Sequence, residues 1–273
     1  MKSIFLSIAG FLIKLEFEDT EYLFNKNQII FTIKKFLSNF IELPNFKLRS
    51  NNIKIDYIIR FEESLIVKTL KHISSEEFFI NFYKKKSNNV IKTYYHISFL
   101  HLQLLLKNVM QELLNNSDGF FLHASGFYVN DGVLLFLGKS GSGKSTIIKI
   151  LRDHTFPIAD DSVIIKREKN NYFVYQTHFI EKESWVIKKK DKYVLKSIFI
   201  LHKSKRCFFS KIKDRKEVFK KLLESLLLSN KKNNKIQYKK IVDFIMDFEN
   251  FYHLYFNNSP NKLIELFRKE KII

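Results

Sequence analysis

The placement of glycine constrains this chain more than any other feature of its sequence. The chain has seven glycines, of which six lie between residues 119 and 143, and the seventh is Gly10. Glycine reaches backbone conformations that a side chain forbids, so a chain that avoids glycine elsewhere requires that freedom in this segment. We therefore expect the functional residues in or beside residues 119–143.

Residues 138–145 read GKSGSGKS and match the pattern G-x-x-x-x-G-K-[ST] completely. The apolar run Val133–Leu137 predicts a strand before this loop, and Ile147–Leu151 predicts a helix after it, which is the context that the pattern requires. In such a loop, backbone N–H groups and the positive end of the helix bind phosphate oxygens. A turn that binds no ligand is the alternative, and the matching flanks argue against it.

The loop therefore predicts a site for a nucleotide and Mg²⁺. Lys144 is expected to reach the β- and γ-phosphates, and Ser145 is expected to bind the metal ion. The predicted nucleotide-binding residues are Gly138, Lys139, Ser140, Gly141, Ser142, Gly143, Lys144, Ser145 and Thr146.

A pair of acidic residues, Asp160 and Asp161, supplies the second candidate element. One carboxylate can neutralise the metal ion while the other takes a proton from an attacking hydroxyl. Neighbouring residues on a strand point to opposite sides, so both acids serve one site only if the backbone bends there. A turn or a helix-capping pair before a strand is the alternative interpretation.

The surroundings of these acids argue against several classes of P-loop protein. The apolar residues Val163–Ile165 follow the acids, whereas in motor-type and GTPase-type proteins the apolar run precedes the acid. The sequence also has neither the guanine-reading pattern N-K-x-D nor the transporter signature L-S-G-G-Q. His123, in the apolar segment before the loop, is a third candidate, although a histidine in such a position is more often a core or edge residue.

Three segments together resemble a known family. His123–Gly126 (HASG), the loop Gly138–Ser145 and Ala159–Val163 (ADDSV) follow the order and spacing of HPr kinase/phosphorylase. They look still more like the HPr-kinase-related, phosphoenolpyruvate-carboxykinase-like proteins. The resemblance covers roughly residues 119–166.

The resemblance implies an ATP domain unlike that of ordinary nucleotide kinases, with ATP and Mg²⁺ as ligands and a serine hydroxyl as acceptor. By motif position, it implies that Asp161 is the general base and that Asp160 lies near the metal ion. It also implies that His123 supports the base, with Lys144 on phosphate and Ser145 on Mg²⁺. The catalytic residues expected on this basis are Asp161, His123 and Lys144, and the metal ligands are Ser145 and Asp160.

The sequence departs from HPr kinases in three places. Thr146 stands where they have Glu directly after the loop serine, and neither their Glu-containing signature loop nor their Pro-Gly-Arg-Asn segment has a counterpart. We therefore expect the acceptor to be another peptide, protein or small metabolite. Two alternatives stay open: a nucleotide-binding module that regulates a biosynthetic cluster without turnover, and carboxykinase-like chemistry on a small acid.

The predicted fold class is α/β, with an HPr-kinase-like ATP domain over residues 117–273 preceded by a smaller α+β region over residues 1–116. The turn sequence NNSDG at 115–119 marks the boundary. Strands are expected over Phe11–Phe17, Ile53–Arg60, Ser64–Leu70, Glu77–Tyr83, Phe120–Val129, Val133–Leu137, Ser162–Arg167, Tyr172–Gln176, Val194–His202 and Cys207–Ile212. Helices are expected over Asn27–Phe40, Ile97–Leu113, Ile147–Leu151, Lys216–Leu228, Lys239–Phe248 and Asn261–Lys269.

The net charge of +19 comes almost entirely from lysine. The lysine runs at 84–86, 188–190 and 231–232 are scattered along the chain, so we expect solvated loops and no nucleic-acid partner. The apolar run Ile4–Ile13 is too short to span a membrane and is interpreted as a buried first strand. A single cysteine, Cys207, favours a reducing cytoplasm.

Three further features carry less weight. His96 and His101 do not share a helix face, so no zinc site is expected. Trp185 lies in the segment Glu181–Lys190, for which an ordinary surface loop is favoured over a mobile lid. HPr kinases assemble into rings, so a homo-oligomer is an open alternative.

Overall fold

A computed structural model describes residues 2–21, 23–42, 54–63, 71–74, 77–79, 82–130, 132–227, 234–257 and 259–273. The chain divides into two compact units, Met1–Leu113 and Leu114–Ile273. Both units mix helices with β-sheets, so the mixed α/β class is confirmed. The strand expected over Ser64–Leu70, the lysine run 231–232 and Asp131 lie outside the described residues.

The N-terminal unit is built on a mixed sheet. Its elements are β1 (Lys2–Ile8), β2 (Phe11–Phe17), α1 (Leu23–Phe36), β3 (Tyr57–Glu62), β4 (Lys71–Ser74), β5 (Glu77–Phe79), β6 (Tyr83–Ser87), β7 (Val90–Tyr94) and α2 (Phe99–Asn115). In the described part of this unit, five strands pair in the order β1-β2-β3-β7-β6, and β4 pairs with β5 separately. Helix α2 ends two residues after the boundary between the units.

The apolar run at the N-terminus forms a hairpin, so the prediction of one strand over Ile4–Ile13 is wrong. Strands β1 and β2 pair antiparallel on either side of Ala9 and Gly10, whose φ angles are 50° and 78°. A two-residue turn with positive φ at both positions matches the twist of the strands it joins. The expected burial does hold for residues such as Leu6 and Ile13, which are fully buried.

The helix predictions for this unit are right in type and inexact in their bounds. Helix α1 begins before Asn27 and ends at Phe36 rather than at Phe40. Helix α2 begins at Phe99 and ends at Asn115, two residues later at each end than expected. The sequence pattern does not predict β7 as a separate strand.

The C-terminal unit contains a large mixed sheet with helices on both faces. Its elements are β8 (Gly119–Leu122), β9 (Ser125–Val129), β10 (Gly132–Leu137), α3 (Lys144–Leu151), β11 (Phe156–Ala159), β12 (Val163–Glu168), β13 (Asn171–Gln176), β14 (Lys192–Lys203), β15 (Phe208–Lys211), α4 (Arg215–Ser225), α5 (Asn234–Asp247), β16 (Phe251–Phe256) and α6 (Pro260–Lys269). Among the described residues, the sheet order is β11-β9-β10-β14-β13-β12-β8, with β16 also paired to β14 and β15 paired to β16.

Strand β10 lies in the middle of this sheet and is buried along its whole length. Its side chains alternate between two cores: Leu135 packs under α4 and α5, and Phe136 packs under α3 and α6. Burial on both faces explains why the strand reads as an unbroken apolar run rather than an alternating one.

Two sequence interpretations change here. The single strand expected over Phe120–Val129 is two strands, interrupted at His123 and Ala124. Asp160 and Asp161 are preceded by β11 as well as followed by β12, so the interpretation that the apolar run comes only after the acids is wrong. The sequence pattern also does not predict β16. None of the described helices combines the length and the apolarity that a membrane crossing requires.

Candidate functional site

The sheet topology brings the three predicted segments to one edge. Strand β9 runs antiparallel to both of its neighbours, β10 and β11. The carboxyl ends of β10 and β11 therefore lie at the same edge as the amino end of β9. The glycine-rich loop leaves β10 at this edge, Asp160 and Asp161 follow β11, and His123 lies two residues before β9.

The loop between β10 and α3 depends on glycine geometry. Gly141 and Gly143 have φ angles of 77° and 103°, and α3 begins directly after Gly143. A Cβ atom on Gly143 would lie 2.5 Å from the ring of Phe256, so both the backbone conformation and this ring disfavour a side chain there. Consecutive N–H groups in such conformations form a concave site for anions at the helix N-terminus.

Lys144 is buried, and its side chain turns back toward the start of the loop. Its Nζ donates to the carbonyl oxygen of Gly138 at 2.7 Å and lies 3.4 Å from that of Lys139. Burial lowers the pKa of Lys144, and the nearby Asp161 carboxylate opposes this effect. The ammonium group is thus held by neutral acceptors, which phosphate oxygens can replace.

Asp161 is half-buried beside two basic side chains. Its Oδ1 accepts a hydrogen bond from Lys182 Nζ at 3.0 Å and lies 3.5 Å from His123 Nδ1. The Asp161 carboxylate raises the pKa of Lys182 through this contact. The backbone bends between the two acids, as a shared site requires, because Asp160 and Asp161 lie in the bend that joins β11 to β12.

Asp160 has an environment different from that of Asp161. It is 2% exposed, its N–H donates to Glu181 Oε2 at 3.0 Å, and its Oδ2 accepts from the N–H of Glu183 at 3.1 Å. Its Oδ1 is buried and has no partner among the described residues. A buried carboxylate oxygen without a donor is costly unless a cation or an ordered water satisfies it.

These residues fit a magnesium ion that is bound together with a nucleotide. Among the described residues, no group of three or more His, Cys, Asp or Glu side chains is arranged to hold a metal ion. Mg²⁺ in nucleotide sites is usually held by one or two protein oxygens plus substrate phosphates, so such a group is not required. Ser145 and Asp160 line the same cavity and are the side chains that would hold it.

Sequence reasoning missed the residues that close this site from the side. The side chains of Glu181 and Lys188 are largely buried and paired with each other, and Lys182 contacts Asp161. Burial raises the pKa of Glu181 to about 7, the Asp160 side chain adds to this effect, and Lys188 opposes it. Neither residue belongs to a recognisable motif, and their pairing depends on the path of the segment Glu181–Lys190.

The segment Glu181–Lys190 is irregular and half of its residues are exposed, in keeping with the expected surface loop, but several contacts anchor it beside the site. Besides the Glu181–Lys188 pair, Val186 is buried, and Trp185 Nε1 donates to Glu183 Oε2 at 3.1 Å. Lys149 on α3 also contacts Glu183 at 2.8 Å. The segment is therefore a surface loop whose anchored side forms a wall of the site.

Two cavities open at this edge. The smaller, of about 210 Å³, is lined by Gly141, Gly143, Lys144, Ser145, Thr146, Asp160, Asp161 and Lys182 in addition to His123 and Ser140. The larger, of about 450 Å³, lies toward β14 and α4 and is also lined by His123 and Ser140. The two cavities therefore adjoin at His123 and Ser140. Of the predicted loop residues, Gly138, Lys139, Ser140 and Ser142 line the larger cavity.

Comparisons with known proteins give little beyond this geometry. No family model matches the chain, and no curated protein matches it. Among solved structures, the chain is similar to the HPr(Ser) kinase/phosphatase from Coxiella burnetii, with a TM-score of 0.32 and 11% sequence identity. The match covers 55% of this chain and 95% of that one. At this level of similarity, a function has to be argued from the site itself.

Proposed function

We propose that the C-terminal unit is an ATP- and Mg²⁺-dependent kinase that transfers the γ-phosphoryl group to a hydroxyl of a peptide, protein or small molecule. One observation carries the proposal: the Asp161 carboxylate lines the same cavity as Lys144 and Ser145 of the phosphate loop. A phosphate cradle alone indicates only nucleotide binding. A carboxylate beside the cradle adds the proton acceptor that transfer to a hydroxyl needs.

The loop residues would bind and orient the triphosphate. The N–H groups around Gly141 and Gly143 face the phosphate oxygens, and Lys144 exchanges its two carbonyl partners for oxygens of the β- and γ-phosphates. Ser145 and Asp160 would hold Mg²⁺, which supplies charge neutralisation at these oxygens. Positioning and electrostatics of this kind account for most of the rate enhancement in phosphoryl transfer.

Asp161 would act as the general base. Its carboxylate takes the proton of the acceptor hydroxyl as the new O–P bond forms, and the bond to the leaving ADP oxygen breaks with its electron pair. His123, at 3.5 Å, limits where that carboxylate can turn. Lys182, which is 70% exposed at its side chain, is free to swing from Asp161 toward the transferring phosphoryl group.

One observation favours the second candidate, a nucleotide-binding module without turnover. The Lys182 ammonium donates to Asp161 Oδ1 at 3.0 Å, so an oxygen that would take the proton of an acceptor hydroxyl is already engaged in an ion pair. If this ion pair persists when nucleotide is bound, the site would bind ATP without transferring its phosphoryl group.

The test measures release of phosphate from γ-labelled ATP with Mg²⁺, with water as the acceptor. Asp161→Asn keeps the size of the side chain and removes the base, so we expect a loss of about 100-fold or more in rate, with binding of Mg·AMP-PNP retained. Asp153→Asn, at an exposed aspartate after α3, is the matched control and should leave the rate unchanged. A wild-type protein that binds the analogue but releases phosphate no faster than Asp161→Asn would overturn the kinase proposal and favour the module.

A further inference from the structure

The larger cavity lies on the side of the phosphate loop where the reacting end of a bound triphosphate is expected. Lys144 Nζ points back to the carbonyls of Gly138 and Lys139 at the start of the loop. The lysine of such a loop contacts the β- and γ-phosphates, so the terminal phosphate lies toward the start of the loop and the nucleoside toward α3. The larger cavity borders this start, through Gly138, Lys139 and Ser140.

The cavity has the size of a small-molecule site. Its volume of about 450 Å³ falls in the range of ligand pockets, which is about 300–1,000 Å³. Leu137, Ile200 and Leu201 give it apolar walls. It adjoins the smaller cavity at His123, so a hydroxyl group at its inner end would be close to both Asp161 and the terminal phosphate.

A chain of three side chains fixes one polar group on the cavity wall. His202, at the end of β14, lines the cavity, and its Nε2 lies 2.9 Å from His253 Nδ1. His253 Nε2 in turn lies 3.4 Å from a carboxylate oxygen of Glu217. The Glu217 carboxylate favours a proton on the His253 nitrogen that faces it, Nε2. The other nitrogen of His253, Nδ1, therefore accepts a hydrogen bond, and its donor is Nε2–H of His202. This leaves His202 Nδ1 as a hydrogen-bond acceptor, and burial lowers the pKa of His202, in keeping with a neutral ring.

An ion pair on α4 supplies both signs of charge to the same cavity. Lys221 Nζ lies 3.3 Å from Glu224 Oε2, and both side chains are about 30% exposed. A half-exposed pair at this spacing is worth little to stability, so a ligand with complementary charges can separate it at small cost. Lys221 suits a carboxylate, whereas Glu224 together with the acceptor atom of His202 suits an ammonium group.

We propose that the larger cavity is the acceptor site and that it takes a small hydroxyl compound carrying both a carboxylate and an ammonium group. The compound belongs to the class of hydroxy amino acids, with Lys221 on its carboxylate and Glu224 and His202 on its ammonium group. His253 and Glu217 are positioning residues for His202. The assignment of this cavity as an acceptor site rests on the proposed kinase function, whereas its recognition of a zwitterion does not.

The experiment compares small hydroxyl compounds that carry both, one or neither of these charged groups. L-Serine and L-homoserine carry both groups, glycerate lacks the ammonium group, ethanolamine lacks the carboxylate, and N-acetyl-L-serinamide lacks both charges. Binding to the Mg·AMP-PNP complex is followed by saturation-transfer NMR, and transfer from ATP is followed by ³¹P NMR. We expect at least one of the two zwitterions to bind and react about tenfold better than the other three probes, because each lost hydrogen bond to a charged group is worth about that factor.

Variants give the matched comparison. Glu224→Gln should lower the preference of the protein for a zwitterion over glycerate by about tenfold. Lys221→Met should lower the preference of the protein for a zwitterion over ethanolamine. His253→Gln should raise KM for the zwitterion while leaving kcat within about twofold, a split that a general loss of folded protein would not produce. Lys220→Met, at the exposed neighbour of Lys221, is the control and should change neither preference.

The outcomes separate this inference from the function on which it rests. Equal binding of all five probes, or preferences that survive Glu224→Gln and Lys221→Met, would overturn the zwitterion site even if phosphoryl transfer occurs. If a zwitterion binds, its binding depends on Glu224 and no phosphoryl group is transferred from ATP, the result would support the zwitterion site and contradict the proposed kinase function. Transfer only to N-acetyl-L-serinamide would point to a peptide acceptor and overturn the small-molecule assignment.

Discussion

The N–H of Ala124 donates to the carbonyl oxygen of Asp161 at 3.1 Å. This hydrogen bond joins the two places where the chain crosses within the large sheet, from β8 to β9 and from β11 to β12. Strands β8 and β12 pair with each other, whereas β9 and β11 pair with each other on the far side of β10. His123 and Asp161 lie at these two crossing points. The hydrogen bond between the backbone atoms therefore holds their side chains near each other.

Removing the charge of Lys144 should abolish tight nucleotide binding without unfolding the protein. We expect Lys144→Met to raise the Kd for Mg·ATP by about 10- to 100-fold, because hydrogen bonds to a charged group are lost in a buried site. Isothermal titration calorimetry measures the effect. Lys262→Met, at an exposed lysine on α6, is the control, and an equal effect of both variants would contradict the role of Lys144.

The two left-handed glycines of the loop should differ in their tolerance of a side chain. Gly141→Ala meets no atom within 4 Å and should cost only the backbone strain, about 1 kcal/mol in the free energy of unfolding. Gly143→Ala also meets the Phe256 ring and should cost about 1–3 kcal/mol more. Urea unfolding of the two variants gives the difference. Equal losses would mean that the Phe256 ring moves aside freely.

The raised pKa of Glu181 predicts a dependence of stability on pH. The folded state holds the Glu181 proton up to about pH 7, whereas the unfolded chain releases it near the ordinary value of 4.5. Between these values the folded state binds more protons, so the contribution of Glu181 to stability is fully present below the unfolded pKa and is lost as the pH rises through 7.

Glu181→Gln should therefore lose less stability than the wild type when the pH is raised from about 5 to about 8. Urea midpoints measured in EDTA test this, because bound metal ions would alter the neighbouring Asp160. Glu183→Gln is the control, since contact with Lys149 lowers the pKa of Glu183 and moves its titration below this range. A wild-type slope that Glu181→Gln leaves unchanged would show that another group titrates.

The turn of the N-terminal hairpin offers a stabilising substitution. Ala9 has a φ of 50°, which costs an L-residue about 1 kcal/mol that glycine does not pay. After allowance for the greater freedom of glycine in the unfolded chain, Ala9→Gly should raise the free energy of unfolding by a few tenths of a kcal/mol. Gly10→Ala should lower it, and thermal unfolding compares the two. A loss of stability in Ala9→Gly would mean that the methyl group of Ala9 packs more favourably than its backbone strain costs.

The sequence predicts best what local patterns determine. The phosphate loop is a contiguous pattern, and β10 and α3 follow from the apolar runs beside it. The break at His123 is invisible in the sequence, because Phe120–Val129 reads as one apolar run and only pairing with different strands interrupts it. Strand β16 is missed for the same reason, since its pairing with β14 is decided by tertiary contacts.

Within the site, the sequence suggested the acids but not their neighbours. Asp160 and Asp161 are adjacent and follow a recognisable loop, whereas Glu181 reaches Asp160 only because the chain returns from β13. The pairing of Glu181 with Lys188 is likewise a property of the folded segment. No spacing rule predicts such contacts, because a segment without regular structure has no repeat from which to read them.

Lys144 and Lys182 both lie near Asp161, but they are held by different kinds of hydrogen-bond partner. Lys144 is held by neutral carbonyl oxygens inside a buried loop, and Lys182 is held by a carboxylate near the surface. Ionic strength screens exposed charge pairs and barely affects buried neutral contacts. Raising the salt concentration would therefore loosen Lys182 from Asp161 while leaving the phosphate cradle in its shape.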